Sequence, residues 1–213
     1  MGSIPVKVGS VPDSIWGVSP FSSESSEMTD PLVSKRPARA DAARNFDAIV
    51  AAAREVFERS GSQSSMDEIA RIAGVGSATL YRHFPRRDDL VEALYAREVA
   101  LVCEYAESVT GEGDPFEALT LWLRRLIVAM GTKRLLMEGL AFEPSRYPTL
   151  IEALYAAGRV VLEPAKEAGA VASDLEADDV MRLAIAVSAA VYRDDAQRER
   201  VFAAALRGLR PAN

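Results

Sequence analysis

Residues 65–95 read SMDEIARIAGVGSATLYRHFPRRDDLVEALY. Glycines and a proline cut this stretch into short pieces, each with helical apolar spacing. Ser65, followed three residues later by Glu68, has the pattern of a capping box that opens a helix. Met66, Ile69, Ala70 and Ala73 then recur on one face, and Gly74 ends the helix. Gly76 or Ser77 opens the next helix, which runs to Phe84, and Pro85 stops it. Helices of about two turns are not stable alone. A longer partner precedes them, from about Asp41 to Ser60. Its Phe46, Ile49, Val50, Ala53, Val56 and Phe57 make one apolar stripe, with Gly61 as C-cap. A long helix and two short ones, joined by very short turns, form a helix-turn-helix. In that motif the last helix is the one that enters a DNA major groove.

On that third helix Leu80 and Phe84 form the buried stripe. Thr79, Arg82 and His83 share another face, flanked by Ser77 and Tyr81. The small residues Gly76, Ser77 and Ala78 allow close approach to a surface, and the free N–H groups there favour phosphate. Catalysis fits the same window poorly. Ser77 and His83 are six residues apart on a helix and point in different directions, and nothing marks an oxyanion hole. GVGSAT lacks both the Lys-Ser/Thr ending and the preceding strand of a phosphate loop.

Composition points the same way. Few aromatic residues, many alanines and an absence of alternating β-branched runs predict an all-α protein. One cysteine, Cys103, excludes an internal disulfide framework, and with one histidine it excludes the usual Cys/His zinc sites. No metal or cofactor is expected. LAIAVSAAVY at 183–192 is the best membrane candidate. It is far short of the roughly 18 apolar residues a span needs. A cytoplasmic protein without membrane contact is expected. The net charge of −6 is unevenly spread: residues 35–97 hold 11 basic and 9 acidic side chains, whereas residues 98–213 hold 13 and 18. An acidic chain with one basic block presents one end to a polyanion.

Residues 1–34 are rich in Ser, Gly and Pro and form an expected disordered or loosely ordered extension. KRPARA follows, with Lys35, Arg36 and Arg39. The helix-turn-helix domain is set at 35–86 and a helical domain at 87–213. In the latter, helices are expected over about 87–110, 115–130, 132–142, 147–169 (kinked near Pro164), 177–193 and 195–209. Together with the first three this makes about nine.

The stretch quoted above resembles the DNA-binding signature of the TetR family of bacterial transcriptional regulators. The resemblance covers about residues 44–95 and rests on Ile69-Ala70, Ala73-Gly74-Val75 and Leu80-Tyr81-x-His83-Phe84. EAGAVASDLEADDVMRLAIAV, at 167–187, resembles the family's approach to its eighth helix more weakly. The resemblance implies a dimeric regulator, commonly a repressor, that binds a near-palindromic double-stranded operator and is released by a small-molecule effector. It places Ser65, Ser77 and Thr79 toward the DNA, with Tyr81 and His83 on phosphate oxygens and Arg87 holding phosphate from the fourth helix. Lys35, Arg36 and Arg39 would reach the backbone or a minor groove. Arg82, at a variable position, would read a base, since arginine pairs bidentately with guanine. Two residues depart from the pattern. Gly76 brings no capping hydroxyl, and Arg86 cannot cap helix four, which leaves Asp88 and Asp89 to complement the dipole.

The body would supply a homodimer interface and an effector pocket. Val180, Leu183, Ala184, Val187, Val191, Val201, Phe202, Ala205 and Leu209 on the last two helices are the interface candidates. They would pair with their copies in a four-helix bundle; ordinary intrachain core is the alternative. Pocket candidates are Phe116, Trp122, Met130, Met137, Phe142, Tyr147 and Tyr155, which at helical spacing also suit plain core. Arg124, Arg125 and Glu138 would anchor a polar group of a ligand, or lie on the surface. Two rival readings remain. An all-α enzyme or carrier lacks a clustered acid, base and nucleophile. A protein-interaction module would present a neutral or acidic third helix, which Arg82, His83 and Arg87 oppose.

Overall fold

A computed structural model describes residues 36–60, 64–111, 113–137 and 148–211, with the side chains of 132–137 excepted. Eight helices run through these residues: α1 Ala40–Ser60, α2 Met66–Ile72, α3 Ser77–His83, α4 Arg87–Val109, α5 Pro115–Met137, α6 Pro148–Glu167, α7 Ala177–Ala189 and α8 Asp195–Gly208. No strand occurs among the described residues. The two helices expected over 115–130 and 132–142 are one through Met137. Glycine costs only about 1 kcal/mol in a helix interior, so Gly131 does not break it. Pro164 lies inside α6 without ending it. Residues 1–35, the Gly61 cap and residues 138–147 fall outside the described residues.

The local signals act as written in the chain. The Ser65 Oγ accepts the Glu68 N–H at 3.1 Å and caps α2. The returning half of the capping box is absent there, because the Glu68 carboxylate pairs with Arg59 instead. Gly74 takes φ +68°, and the Val75 N–H reaches back to the Ala70 carbonyl at 3.0 Å. That closure needs a left-handed residue, which glycine supplies without strain. At α4 the Asp89 carboxylate accepts the Arg86 N–H at 3.0 Å and also pairs with the Arg86 guanidinium. The acid in the first turn thus supplies the returning half of a capping box, and the arginine side chain, with no acceptor atom, supplies no forward half.

Two apolar cores result. The smaller joins Ile49, Val56 and Phe57 of α1, Ile69 of α2, Leu80 and Phe84 of the third helix, and Leu90 to Leu94 of α4. The larger begins at Tyr95 and gathers the rest of α4 with α5–α8. The helix-turn-helix head therefore extends its core past Arg86 into the first two turns of α4.

In the body, Trp122 is fully enclosed and donates its indole N–H to the Val102 carbonyl at 3.2 Å. Gly158 faces it, and a Cβ there would lie 3.2 Å from the indole ring. Tyr155 donates to Asp178 at 2.7 Å, tying α6 to α7. Burial first, and that hydrogen bond second, push its phenol well above the ordinary tyrosine range. Burial works against ionisation of Asp178, but hydrogen bonds from Arg182 and Tyr155 hold its carboxyl below the usual value.

Candidate nucleic-acid interface

Leu80 and Phe84 are buried and fasten the third helix to α1 and α2. The opposite side is exposed through Ser77, Ala78, Tyr81 and Arg82. Tyr81 is 46% exposed. No hydrogen bond or ion pair engages Arg82 among the described residues, so its guanidinium stands free.

The outward face is turned from the expected one. Thr79 and His83, expected to share it with Arg82, are half-buried. For His83 the neighbour is Phe46 of α1. Its ring meets the His83 imidazole edge-on at 6.3 Å and the Phe84 ring at 5.0 Å. That packing partly covers His83, while Ser77, Ala78, Tyr81 and Arg82 stay exposed. Ser77 is exposed, but its hydroxyl donates to Asp67 Oδ1 at 2.9 Å. With that bond and the Phe46 contact, Ser77 and His83 are engaged with different neighbours. No group of acidic, histidine or cysteine side chains suited to a metal occurs among the described residues.

The expected cations divide. Arg39 is exposed just before α1. Arg36 binds Asp47 through two hydrogen bonds, at 2.9 and 2.6 Å, and the pairing holds the Asp47 carboxyl below its usual pKa. Arg87 lies 4.6 Å over the Phe57 ring and donates to the Ser64 carbonyl, half-buried at the start of α4. Burial lowers its pKa from the ordinary arginine value. Lys35 lies outside the described residues, and Ser65 is exposed while serving as the cap described above. Sequence reasoning passed over Asp67 and the exposed Arg71 at the end of α2, and took Phe46 only as part of the apolar stripe of α1. Asp67 sits in the first turn after Ser65, where an acid reads simply as a dipole complement.

The body candidates are largely core. Trp122, Met130 and Tyr155 are buried. Phe116 is half-buried, with the Arg210 guanidinium 4.0 Å over its ring. The Met137 side chain, Phe142, Tyr147 and Glu138 lie outside the described residues. A groove of about 470 Å³ opens between α5, α7 and α8, lined by Arg124, Ile127, Val128, Tyr192 and Phe202 among others. Arg124 there pairs with Glu199 at 2.6 Å and stacks on Phe202 at 4.7 Å.

Most of the expected dimer stripe packs within the chain, the alternative given with it. Val180, Ala184, Val187, Phe202 and Leu209 are buried in the chain's own core, with Leu183 and Ala205 packed against it. Val191 and Val201 are exposed. Helices α7 and α8 spend this apolar face on their own chain, and the same spacing would serve either purpose.

Family models match most of this architecture. Residues 49–94 match the bacterial regulatory proteins of the tetR family, and residues 114–211 match the SbtR-like transcriptional regulator C-terminal domain. The chain is similar to the TetR transcriptional regulator SCO0520 from Streptomyces coelicolor. The two are 35% identical over 79% of this chain and 99% of that one, with a TM-score of 0.69. A TetR regulatory protein from Mycobacterium vanbaalenii is 31% identical over 82% of this chain and 100% of its own, with a TM-score of 0.67. RolR, whose structure is a complex with resorcinol, shares the fold at 23% identity and a TM-score of 0.52, covering 79% of this chain and 89% of that one. The matched head, the outward third helix and these two relatives place the chain in the TetR family of bacterial DNA-binding transcriptional regulators.

Proposed function

We propose that two copies of this chain bind a near-palindromic operator as a cytoplasmic repressor, and that a small molecule binding the body releases them. The observation that carries this reading is the exposed Tyr81–Arg82 face of the third helix, fixed from behind by Leu80 and Phe84. Arg82 has the free donors to read guanine in the major groove. Tyr81 and Arg39 are exposed and suited to phosphate. Arg87 is positioned by Phe57 and Ser64 and stiffens the start of α4, where phosphate would approach the helix N-terminus.

Pairing of copies would use what the single chain leaves out, Val191 and Val201 with the outer sides of α7 and α8. The effector reading is supported by a helical body of over 100 residues beyond the head, and by a protein of the same fold that holds resorcinol. An effector shifts the DNA equilibrium only by its differential affinity for the two states. Selection of bound genomic fragments by the purified chain tests the reading. Recovery of one inverted-repeat sequence, bound by two copies with steep salt dependence, is the expected result. Fragments recovered at random, or binding by one copy to an asymmetric site, would refute it.

A further inference from the structure

Helix α4 belongs to both cores, and the change falls between Leu94, packed in the head, and Tyr95, packed in the body. One turn further on, Glu98 is 5% exposed. Its carboxylate meets two arginines from opposite sides of the joint. Arg125 of α5, in the body, donates from Nη2 to Oε2 at 3.3 Å. Arg54 of α1, in the head, brings Nη1 to 3.3 Å from Oε1 but without hydrogen-bond alignment. The head side of this bridge is the looser one. Arg54 also pairs with Glu58 at 3.0 Å, whereas Glu98 is the sole partner of Arg125 among the described residues.

The surroundings leave the angle of the joint underdetermined by apolar packing. A groove of about 620 Å³ runs along α1 and α4, with Val50, Arg54, Leu94, Arg97 and Glu98 on its walls. Apolar contacts are non-directional, but the charge-assisted hydrogen bond from Arg125 holds only over a narrow geometry, and the same buried carboxylate attracts Arg54 of the head. Removing the carboxylate leaves two arginines that are 35% and 22% exposed and able to turn to water.

We propose that Glu98 is a positioning residue for DNA binding. The Arg54–Glu98–Arg125 bridge fixes the angle of the head on the body, and so the separation of the two recognition helices and the half-site spacing the dimer accepts. The spacing part rests on the two-copy operator reading above; the angular part does not. A movement of α5 that carried Arg125 away from Glu98 would free the head without touching the DNA face.

Glu98→Gln removes the charge and keeps the shape, and Glu98→Met serves where the first variant folds poorly. Operators with half-sites moved apart or together by single base pairs read the spacing. The wild-type chain should lose about tenfold in affinity per added base pair, and the variants less than about threefold, with base preference inside each half-site unchanged. Uniform weakening at every spacing, with the wild-type profile kept, would overturn the proposal. A second measurement needs no DNA. Spin labels at Ala78→Cys and Arg207→Cys in a Cys103→Ser chain, diluted into unlabelled protein, report the intrachain head-to-body distance. The variants should broaden that distribution, and an unchanged one also overturns the proposal. A wild-type chain with no spacing preference would count against the two-copy reading alone, and the label distances would still decide the role of Glu98.

Discussion

The Ser77 hydroxyl donates its one proton to the Asp67 carboxylate across 2.9 Å, tying the first residue of the recognition helix to the first turn of α2. Phosphate oxygens only accept hydrogen bonds, so a hydroxyl engaged in this way serves the domain rather than the DNA backbone. Ser77→Ala should lower stability by at most about 1 kcal/mol and leave the affinity for DNA unchanged. Asp67→Asn removes a negative charge beside the interface. It should raise affinity on all sequences by about two- to fivefold at low salt, an advantage that salt erases. A loss of more than about 1 kcal/mol in binding for Ser77→Ala, with stability unchanged, would show that the hydroxyl leaves Asp67 for the DNA.

Tyr81 and Arg82 are neighbours with different tasks. Tyr81→Ala should weaken binding to every sequence alike, by about 1 kcal/mol. Arg82→Ala should cost about 1–3 kcal/mol on the preferred site and relax discrimination at one base position. Competition binding with single-base operator variants separates them. Equal loss across all bases for Arg82→Ala would remove its reading role.

Gly158→Ala opposes two effects. Alanine gains about 1 kcal/mol of helix propensity over glycine. The new Cβ would stand 3.2 Å from an enclosed indole that is fixed by its bond to the Val102 carbonyl, and overpacking costs about 1–3 kcal/mol. The locked ring gives the second effect the advantage, so denaturant unfolding should show net destabilisation of about 1 kcal/mol. A stabilised variant would mean that Trp122 can shift.

The Tyr155 phenol, raised by burial and by Asp178, makes stability fall in alkali. The folded chain holds this proton more tightly than the unfolded chain does. The contribution is therefore complete below the unfolded tyrosine value of about 10 and is lost as pH rises from there toward the folded value. Tyr155→Phe should be less stable at neutral pH but show a shallower decline above about pH 10. Parallel pH–stability curves for the two proteins would exclude the coupling.

The head was legible because its signals are local. A serine cap, a glycine that must turn left-handed and a proline stop each act within a few residues, and together they bound two short helices. The partial cover over His83 was not legible, because it comes from Phe46, some 37 residues away in the chain. Nor was the side on which α7 and α8 spend their apolar stripe, since core and dimer interface obey one spacing rule. Glu98 could have been singled out. It lies in line with Leu94 and Val102 at four-residue steps, and a carboxylate on a buried stripe implies a cationic partner. Its two partners, on α1 and α5, are set by tertiary packing alone.

The sharing of α4 between two cores bears on how such chains can exchange parts. A graft that joins this reading head to a foreign body after Arg86 would strip away Leu90 to Leu94 and leave the donor's small core open on one side. Splices that retain the chain through Leu94 keep that core whole. Even then, the recipient would have to offer its own cation to the carboxylate that follows, or accept a head hung at a new tilt.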